Sequence, residues 1–167
     1  MPRVEATVVV DVPADVAFAV SQTTGELRLR WDPFIHRQYL LNGAVKPGKG
    51  VQTFTRSRHG FRMVSEYVSY VPPRNVGMTM RQGPWFFATF GGGWRFEALG
   101  DNQTKAVWKY SFSCRPQFLR RIAEPLGAWL LGRDIRRRIA AFARACADPE
   151  IVAAVRSAEG SPRSPGA

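Results

Sequence analysis

Cysteine and histidine are scarce in this chain, with two of each among 167 residues. His36 and His59 are far from any cysteine or paired acid at ligand spacing, so the sequence predicts no bound metal. It contains no nucleophile elbow and no glycine-rich loop leading into a helix, and we expect no cofactor. Two buried thiols are favoured over a disulfide for Cys114 and Cys146, since nothing in the sequence indicates an oxidising compartment.

Long apolar runs are also missing. No segment is apolar for the 18 or so residues that a membrane-spanning helix needs. The first residues lack the charged, apolar and small-residue regions of a signal peptide, so the expected location is the cytoplasm. A hydrophobic content of 45% over 167 residues nevertheless predicts a globular domain with a good core.

Positive charge is abundant and concentrated near the C-terminus. The net charge is +11, and eight arginines lie between Arg115 and Arg144, against Glu124 and Asp134. We interpret this segment mainly as a solvated helix face. It would allow weak, salt-sensitive contact with an anionic surface, but no specific nucleic-acid binding, because stacking aromatics are not interleaved with the arginines.

The order of the predicted elements favours an antiparallel meander. Residues 3–11 alternate as a strand, Pro13 and Asp15 suit the start of a short helix, and a second helical turn covers residues 26–30. From residue 34 to 113 the pattern is strand-like and broken by short turns, without room for crossover helices. Residues 91–93 are three glycines inside a strand, which predicts a bend in a curved sheet.

The C-terminal region carries two apolar stripes that are out of phase. The first comprises Phe118, Ile122, Leu126 and Trp129, and the second comprises Leu131, Ile135, Ile139, Phe142 and Cys146. At ~100° per residue one straight helix would present them in two directions, so we expect a kink or break at Pro125, or at Gly127 and Gly132, after a short first segment. A long helix should then run from near Pro125 to Ala147 and bury the second stripe. We assign residues 1–147 to one domain and 148–167 to a largely disordered tail.

Aromatic residues on the predicted strands indicate a pocket. Neighbouring strands present several rings on single faces, and the C-terminal helix would lie across them. The predicted ligand-binding residues are Met78, Met80, Trp94, Phe96, Trp108, Tyr110, Phe112 and Trp129.

Three stretches carry a resemblance to a known superfamily. Residues 9–18 form a strand leading through Pro13 and Ala14 into a helix, Trp31-Asp32-Pro33 follows the second helix, and residues 126–139 end in an arginine-rich helix. Their order resembles the START-like helix-grip (SRPBCC) superfamily, nearest to bacterial polyketide cyclase/dehydratase and lipid-transport proteins. The resemblance implies an α+β helix-grip fold. In this fold a curved antiparallel sheet of six to seven strands wraps a long C-terminal helix, and two short helices follow the first strand.

The same resemblance implies an apolar small-molecule ligand, lipid- or polyketide-like, bound between the sheet and the helix. An alternative is a cyclase or dehydratase in which Tyr67, Tyr110 or His36 acts as acid or base. A further alternative is a basic interaction module that uses the arginine face. The sequence has no catalytic signature and leaves the oligomeric state open.

Overall fold

The computed structural model describes residues 1–160. In chain order its elements are β1 (Arg3–Val10), α1 (Ala14–Ser21), α2 (Gly25–Trp31), β2 (Ile35–Leu40), β3 (Gln52–Ser57), β4 (Arg62–Val71), β5 (Asn75–Gln82), β6 (Phe87–Gly100), β7 (Gln103–Cys114), a 3-10 turn (Gln117–Leu119), α3 (Arg120–Ala147) and α4 (Pro149–Gly160). The strands pair antiparallel in the order β1-β7-β6-β5-β4-β3-β2. This curled sheet around a long C-terminal helix confirms the predicted α+β helix-grip architecture, including the two short helices after β1.

The alternation of β7 decides which side of the sheet faces the core. Trp108, Tyr110 and Phe112 are all at most 5% exposed, whereas Lys109 is exposed on the opposite face. Trp108 lies directly opposite Trp94 of β6, and their rings stack with centroids 4.1 Å apart. Aromatic pairs across neighbouring strands stabilise this register, because a one-residue slip would turn every ring toward solvent.

Helix α3 runs without interruption through Pro125, so the predicted break is wrong. The second stripe is the buried face, as predicted. Ile135, Ile139 and Phe142 are at most 5% exposed and α3 packs on β1 and β7. The first stripe points to solvent instead of finding a second burial surface. Gly127 allows close packing rather than a break, since a Cβ atom there would lie 2.9 Å from the ring of Phe112.

A fourth helix follows α3 after a single non-helical residue. Asp148 caps it, because its carboxylate accepts hydrogen bonds from the backbone N–H groups of Glu150 and Ile151, at 2.9 and 3.4 Å. Ile151 and Val155 are buried, and α4 packs on α1 and α3. The tail is predicted to be largely disordered, with at most a helical turn at residues 151–155, and the structure corrects this to a helix over Pro149–Gly160. The rest of the predicted tail, residues 161–167, lies outside the described residues.

Candidate functional site

A cavity of about 160 Å³ lies between the concave face of the sheet and α3. Rings and methionines from β4 to β7 form much of its wall, and polar side chains from β2, β3 and the α2 region line the remainder. The predicted residues that line it are Tyr67, Met78, Met80, Trp94, Trp108 and Tyr110.

Four predicted site residues lie elsewhere. Phe96 is buried beside Trp94 on the same face of β6 and packs on Phe18, so it lies beyond the edge of the cavity. Phe112 is fully buried against Phe87 and Gly127. Trp129 and His36 are exposed on the surface, 59% in the case of Trp129. His36 is therefore not positioned as an acid or base of this cavity, and Trp129 does not belong to its mouth.

The three glycines of β6 explain why the cavity exists. They line it, and they pair with both β5 and β7. At Gly92 a Cβ would lie 2.7 Å from the Tyr110 ring, and at Gly93 it would overlap the carbonyl of Val76. Any side chain here would push the strands apart or fill the void, so glycine creates the floor of the cavity.

A buried charged cluster, missed by sequence reasoning, closes one end of the cavity. Asp32 is fully buried and accepts hydrogen bonds from two arginines, Arg28 at 2.9 Å and Arg138 at 2.7 and 3.0 Å. Arg138 also donates to the Tyr110 hydroxyl at 2.6 Å. Its guanidinium is held between the rings of Phe34 and Trp108, 4.7 and 4.4 Å from their centroids. The cluster thus joins α2, α3 and β7 and fixes the polar edge of the cavity.

Charge pairing keeps this cluster ionised in spite of its burial. Burial alone would raise the pKa of Asp32, but the guanidiniums of Arg138 and Arg28 outweigh it and lower that pKa to about 2. Burial would lower the pKa of Arg138, but Asp32, Tyr110 and Asp134 together raise it above its usual range. Asp32 and Arg138 are consequently a permanent ion pair at neutral pH.

Two tyrosine hydroxyls reach the cavity and remain protonated. Burial raises the pKa of Tyr67 to about 12 and raises that of Tyr110, against the opposing effect of nearby arginines. Tyr110 accepts a hydrogen bond from Arg138, which leaves its own proton available. Tyr67 is 4% exposed as a residue and lines the cavity. Both hydroxyls are thus able to donate to a molecule in the cavity.

Two further polar side chains on the cavity wall were not predicted. The amide oxygen of Gln38 is buried and, within residues 1–160, has no hydrogen-bond partner. Asp134 of α3 lies 3.9 Å from Arg138, and burial raises the pKa of its carboxyl above the usual range. A cavity that is mostly apolar but holds unpaired polar atoms is suited to a ligand with complementary polar atoms.

Within residues 1–160 the structure gives no evidence for a metal site or a reactive thiol. No three histidine, cysteine or acidic side chains in this part of the chain are close enough to hold a metal. Cys114 and Cys146 are free and buried, as predicted, and burial raises the pKa of both thiols, that of Cys146 to about 12. A thiol with a raised pKa is a poor nucleophile. No helix in the described part of the chain is long and apolar enough to cross a membrane.

The missed residues left weak signals in the sequence. Asp32 stands in the Trp31-Asp32-Pro33 stretch, where it could be read only as the residue before a proline. Arg138 is next to Ile139 in the second stripe and therefore close to the buried face, but its charge groups it with the solvated arginines. Polar residues on strands, such as Gln38, look the same in sequence whether they face solvent or a cavity.

A curved antiparallel sheet that grips one C-terminal helix over a ring-lined cavity defines the class of helix-grip proteins. A family model described as "Polyketide cyclase / dehydrase and lipid transport" matches residues 1–147, and the chain belongs to this family, whose members bind hydrophobic ligands. No curated protein matches the sequence significantly.

Solved structures agree on the fold. A START superfamily protein from Mycobacterium smegmatis has a TM-score of 0.71 at 15% identity, covering 84% of this chain and 94% of its own. XoxI from Bacillus cereus has a TM-score of 0.70 at 12% identity, covering 90% and 99%. The Zhui aromatase/cyclase from Streptomyces sp. R1128 has a TM-score of 0.68 at 19% identity, covering 96% and 99%. At such identities the likeness extends to the fold and not to the ligand.

Proposed function

We propose that this protein binds a compact, largely apolar small molecule with at least one hydrogen-bonding oxygen, in the cavity between sheet and α3. The observation that carries the proposal is the buried amide oxygen of Gln38, which has no hydrogen-bond partner within residues 1–160 and lies on a cavity wall that Tyr67 shares with Met78 and Trp94. Leaving a buried polar atom unpaired is costly, so a site of this kind is matched to a ligand that supplies the missing hydrogen bond.

The volume of the cavity narrows the ligand class. About 160 Å³ is close to the roughly 150 Å³ of an apolar cavity that holds one benzene-sized molecule. A diacyl lipid is far larger than this space. We therefore favour a ligand of one or two rings, or one ring-sized end of a longer polyketide-like molecule.

The experiment compares two probes that differ by one hydroxyl, naphthalene and 1-naphthol. Binding to either should change the emission of Trp94 and Trp108, which line the cavity. Tyr67→Phe should weaken 1-naphthol binding by about 3- to 10-fold, the worth of one hydrogen bond, and leave naphthalene binding unchanged. Tyr39→Phe is the matched control, because Tyr39 is 41% exposed and does not line the cavity.

A second variant tests the location of the site without relying on hydrogen bonds. Met78→Trp should fill the cavity and abolish binding of both probes, whereas Val68→Trp, at a position 43% exposed on β4, should leave binding intact. Equal binding by both tryptophan variants would place the probes elsewhere and refute the proposal. Native mass spectrometry of the purified protein would then identify any molecule retained from the cell.

A second candidate function is proton-transfer catalysis on the same ligand, as in a cyclase or dehydratase. The observation favouring it is the grouping of Asp134, whose pKa is raised by burial, with Tyr110 and Arg138 at one end of the cavity. A raised pKa makes a carboxylate a stronger proton acceptor than a solvated one, which favours a role in proton transfer. Asp134→Asn should then abolish turnover of a polyketide-like substrate while its binding persists. Unchanged turnover in this variant would exclude Asp134 as the acid or base.

A further inference from the structure

The first half of α3 and the preceding turn expose an unusual amount of apolar surface. Six large side chains are between 43% and 81% exposed, and we call them the exposed stripe: Phe118, Leu119, Ile122, Leu126, Trp129 and Leu130. Isolated exposed apolar residues are normal, but a contiguous set on one helix face marks an interaction surface. The stripe is about 18 Å long at 1.5 Å per residue.

A third exposed aromatic residue lies near the start of the exposed stripe. Trp85, in the β5–β6 connection, is 78% exposed. The carbonyl of the next residue, Phe86, accepts a hydrogen bond of 2.7 Å from the backbone N–H of Arg115, just before the turn that leads into α3. The connection therefore runs beside the start of the exposed stripe and extends its apolar surface.

Exposed arginines surround this surface. Arg115 and Arg121 flank the beginning of the stripe, and Arg133, Arg136 and Arg137 follow it along the helix. At ~100° per residue, Arg133 and Arg137 fall within the same arc of α3 as the stripe. The two nearby acids have other neighbours: Glu124 lies 3.9 Å from Arg120, and Asp134 lines the cavity 3.9 Å from Arg138. The face is thus apolar in its first half and strongly positive in its second.

We propose that this face docks on the surface of an anionic lipid bilayer, with α3 lying in the plane of the interface. The exposed stripe would enter the boundary between headgroups and acyl chains, while the arginines contact phosphate groups. Tryptophan is favoured at that depth because its ring is apolar and its N–H is polar, which suits Trp85 and Trp129.

A second copy of this chain fits the surface less well. A two-fold symmetric dimer would place the same face against itself, so the partner copy would offer the arginines more positive charge and apolar surface rather than an acidic partner. Like charges at an interface core oppose association, whereas an anionic bilayer complements both the charge and the apolar stripe.

The docking face borders the proposed ligand cavity but does not depend on it. Pro84 and Leu131 line the cavity, and each is adjacent in sequence to a residue of the docking face, Trp85 and Leu130. The docking proposal would stand even if the cavity bound nothing, because it rests only on surface residues.

The test is flotation of the full-length protein with vesicles of phosphatidylcholine alone and of phosphatidylcholine mixed with phosphatidylglycerol. We expect binding to the mixed vesicles, weakened by added salt, with a blue shift of tryptophan emission as Trp85 and Trp129 leave water. Replacing both Ile122 and Leu126 by Gln should weaken binding by about tenfold or more. The control replaces Val68 and Val71 of β4, which are 43% and 47% exposed, and should not affect binding.

A second pair of variants tests whether the positive charge of the arginines contributes to vesicle binding. Replacing Arg133 and Arg137 by Gln should weaken binding to mixed vesicles more than tenfold, at about fivefold per arginine. The same change at Arg56 and Arg95, which are exposed on β3 and β6, should have a much smaller effect. Thermal unfolding of each variant ensures that lost binding is not lost folding.

Three results would overturn the proposal. These are no binding of the wild-type protein to mixed vesicles at low salt, equal binding to neutral and anionic vesicles, and equal loss in the stripe and control variants. Light scattering adds a fourth. If the protein is a stable dimer that the Ile122 and Leu126 replacements convert to a monomer, the stripe is a protein interface and not a membrane-docking face.

Discussion

The two halves of α3 form one continuous helix but differ in the burial of their apolar side chains. In the second half, Ile135, Ile139 and Phe142 are at most 5% exposed and pack on the sheet. In the first half, Ile122 is 73% exposed and Trp129 is 59% exposed. The helix does not break between them, so the phase difference between the two stripes becomes a difference between a buried face and an open one.

This difference shows that the spacing of apolar residues predicts which helix face is apolar, but not whether that face is buried. The two stripes are equally regular in sequence, and only the second contains fully buried residues. A stripe that stays exposed contributes little to folding, which leaves its residues available for another role. The following predictions compare the two halves, beginning with the largest expected effect.

Arg138 and Arg137 are neighbours with opposite environments. Arg138→Met should lower the free energy of unfolding by about 3–5 kcal/mol, because Asp32 is fully buried and would lose one of its two partners. Arg137→Met should change it by no more than about 0.5 kcal/mol, because Arg137 is on the surface. Urea unfolding measures both. Similar losses in the two variants would contradict the assignment of Arg138 to the buried cluster.

Ile139 and Ile122 compare a buried with an exposed position of α3 using uncharged side chains. Ile139→Ala should cost about 2–5 kcal/mol, since the side chain is 5% exposed and its removal leaves a cavity against the sheet. Ile122→Ala should cost no more than about 0.5 kcal/mol, since little of that side chain is buried. A large loss from Ile122→Ala would mean that the first half of α3 is covered in solution.

The hydrogen bond between Tyr110 and Arg138 links the second half of α3 to β7. Tyr110→Phe should lower the free energy of unfolding by about 1.5–3 kcal/mol, because it removes a 2.6 Å bond to a buried charged donor. Tyr39→Phe, at a residue 41% exposed, is the control and should have little effect. If Tyr110→Phe is neutral, then water or another group must satisfy Arg138.

Low pH should destabilise the packing of the second half of α3, because Arg138 of this half is paired with Asp32. Its pKa is about 2 in the folded protein against an ordinary 3.8, so its contribution to stability is fully present above about pH 4 and is lost as the pH falls toward 2. The expected loss is about 2 kcal/mol. Unfolding by urea across this range should show a shallower pH dependence for Asp32→Asn than for the wild type. Identical slopes would indicate that Asp32 is not held ionised by its arginines.

Much of the candidate site followed from sequence because it lies on regular strands. Trp94, Trp108 and Tyr110 alternate with polar residues, and alternation places side chains on one face of a sheet whatever its neighbours are. The same logic failed for Phe96 and Phe112, which share that face but lie beyond the edge of the cavity. Strand period determines a face, whereas the position of a void along that face depends on sheet curvature and on the glycines at 91–93.

Local patterns in the sequence by itself determined the antiparallel meander of consecutive strands, the short helices after β1 and the burial face of the second half of α3, because these depend on short-range periods and turns. The pairing of β1 with β7 was decided by the tertiary structure. Only the tertiary structure decided that α3 continues through Pro125, that its first half stays open, and that Arg138 turns inward to Asp32 across 106 positions of sequence. The physical reason is that burial and charge pairing depend on which distant segments pack together. A local sequence pattern contains no information about that packing.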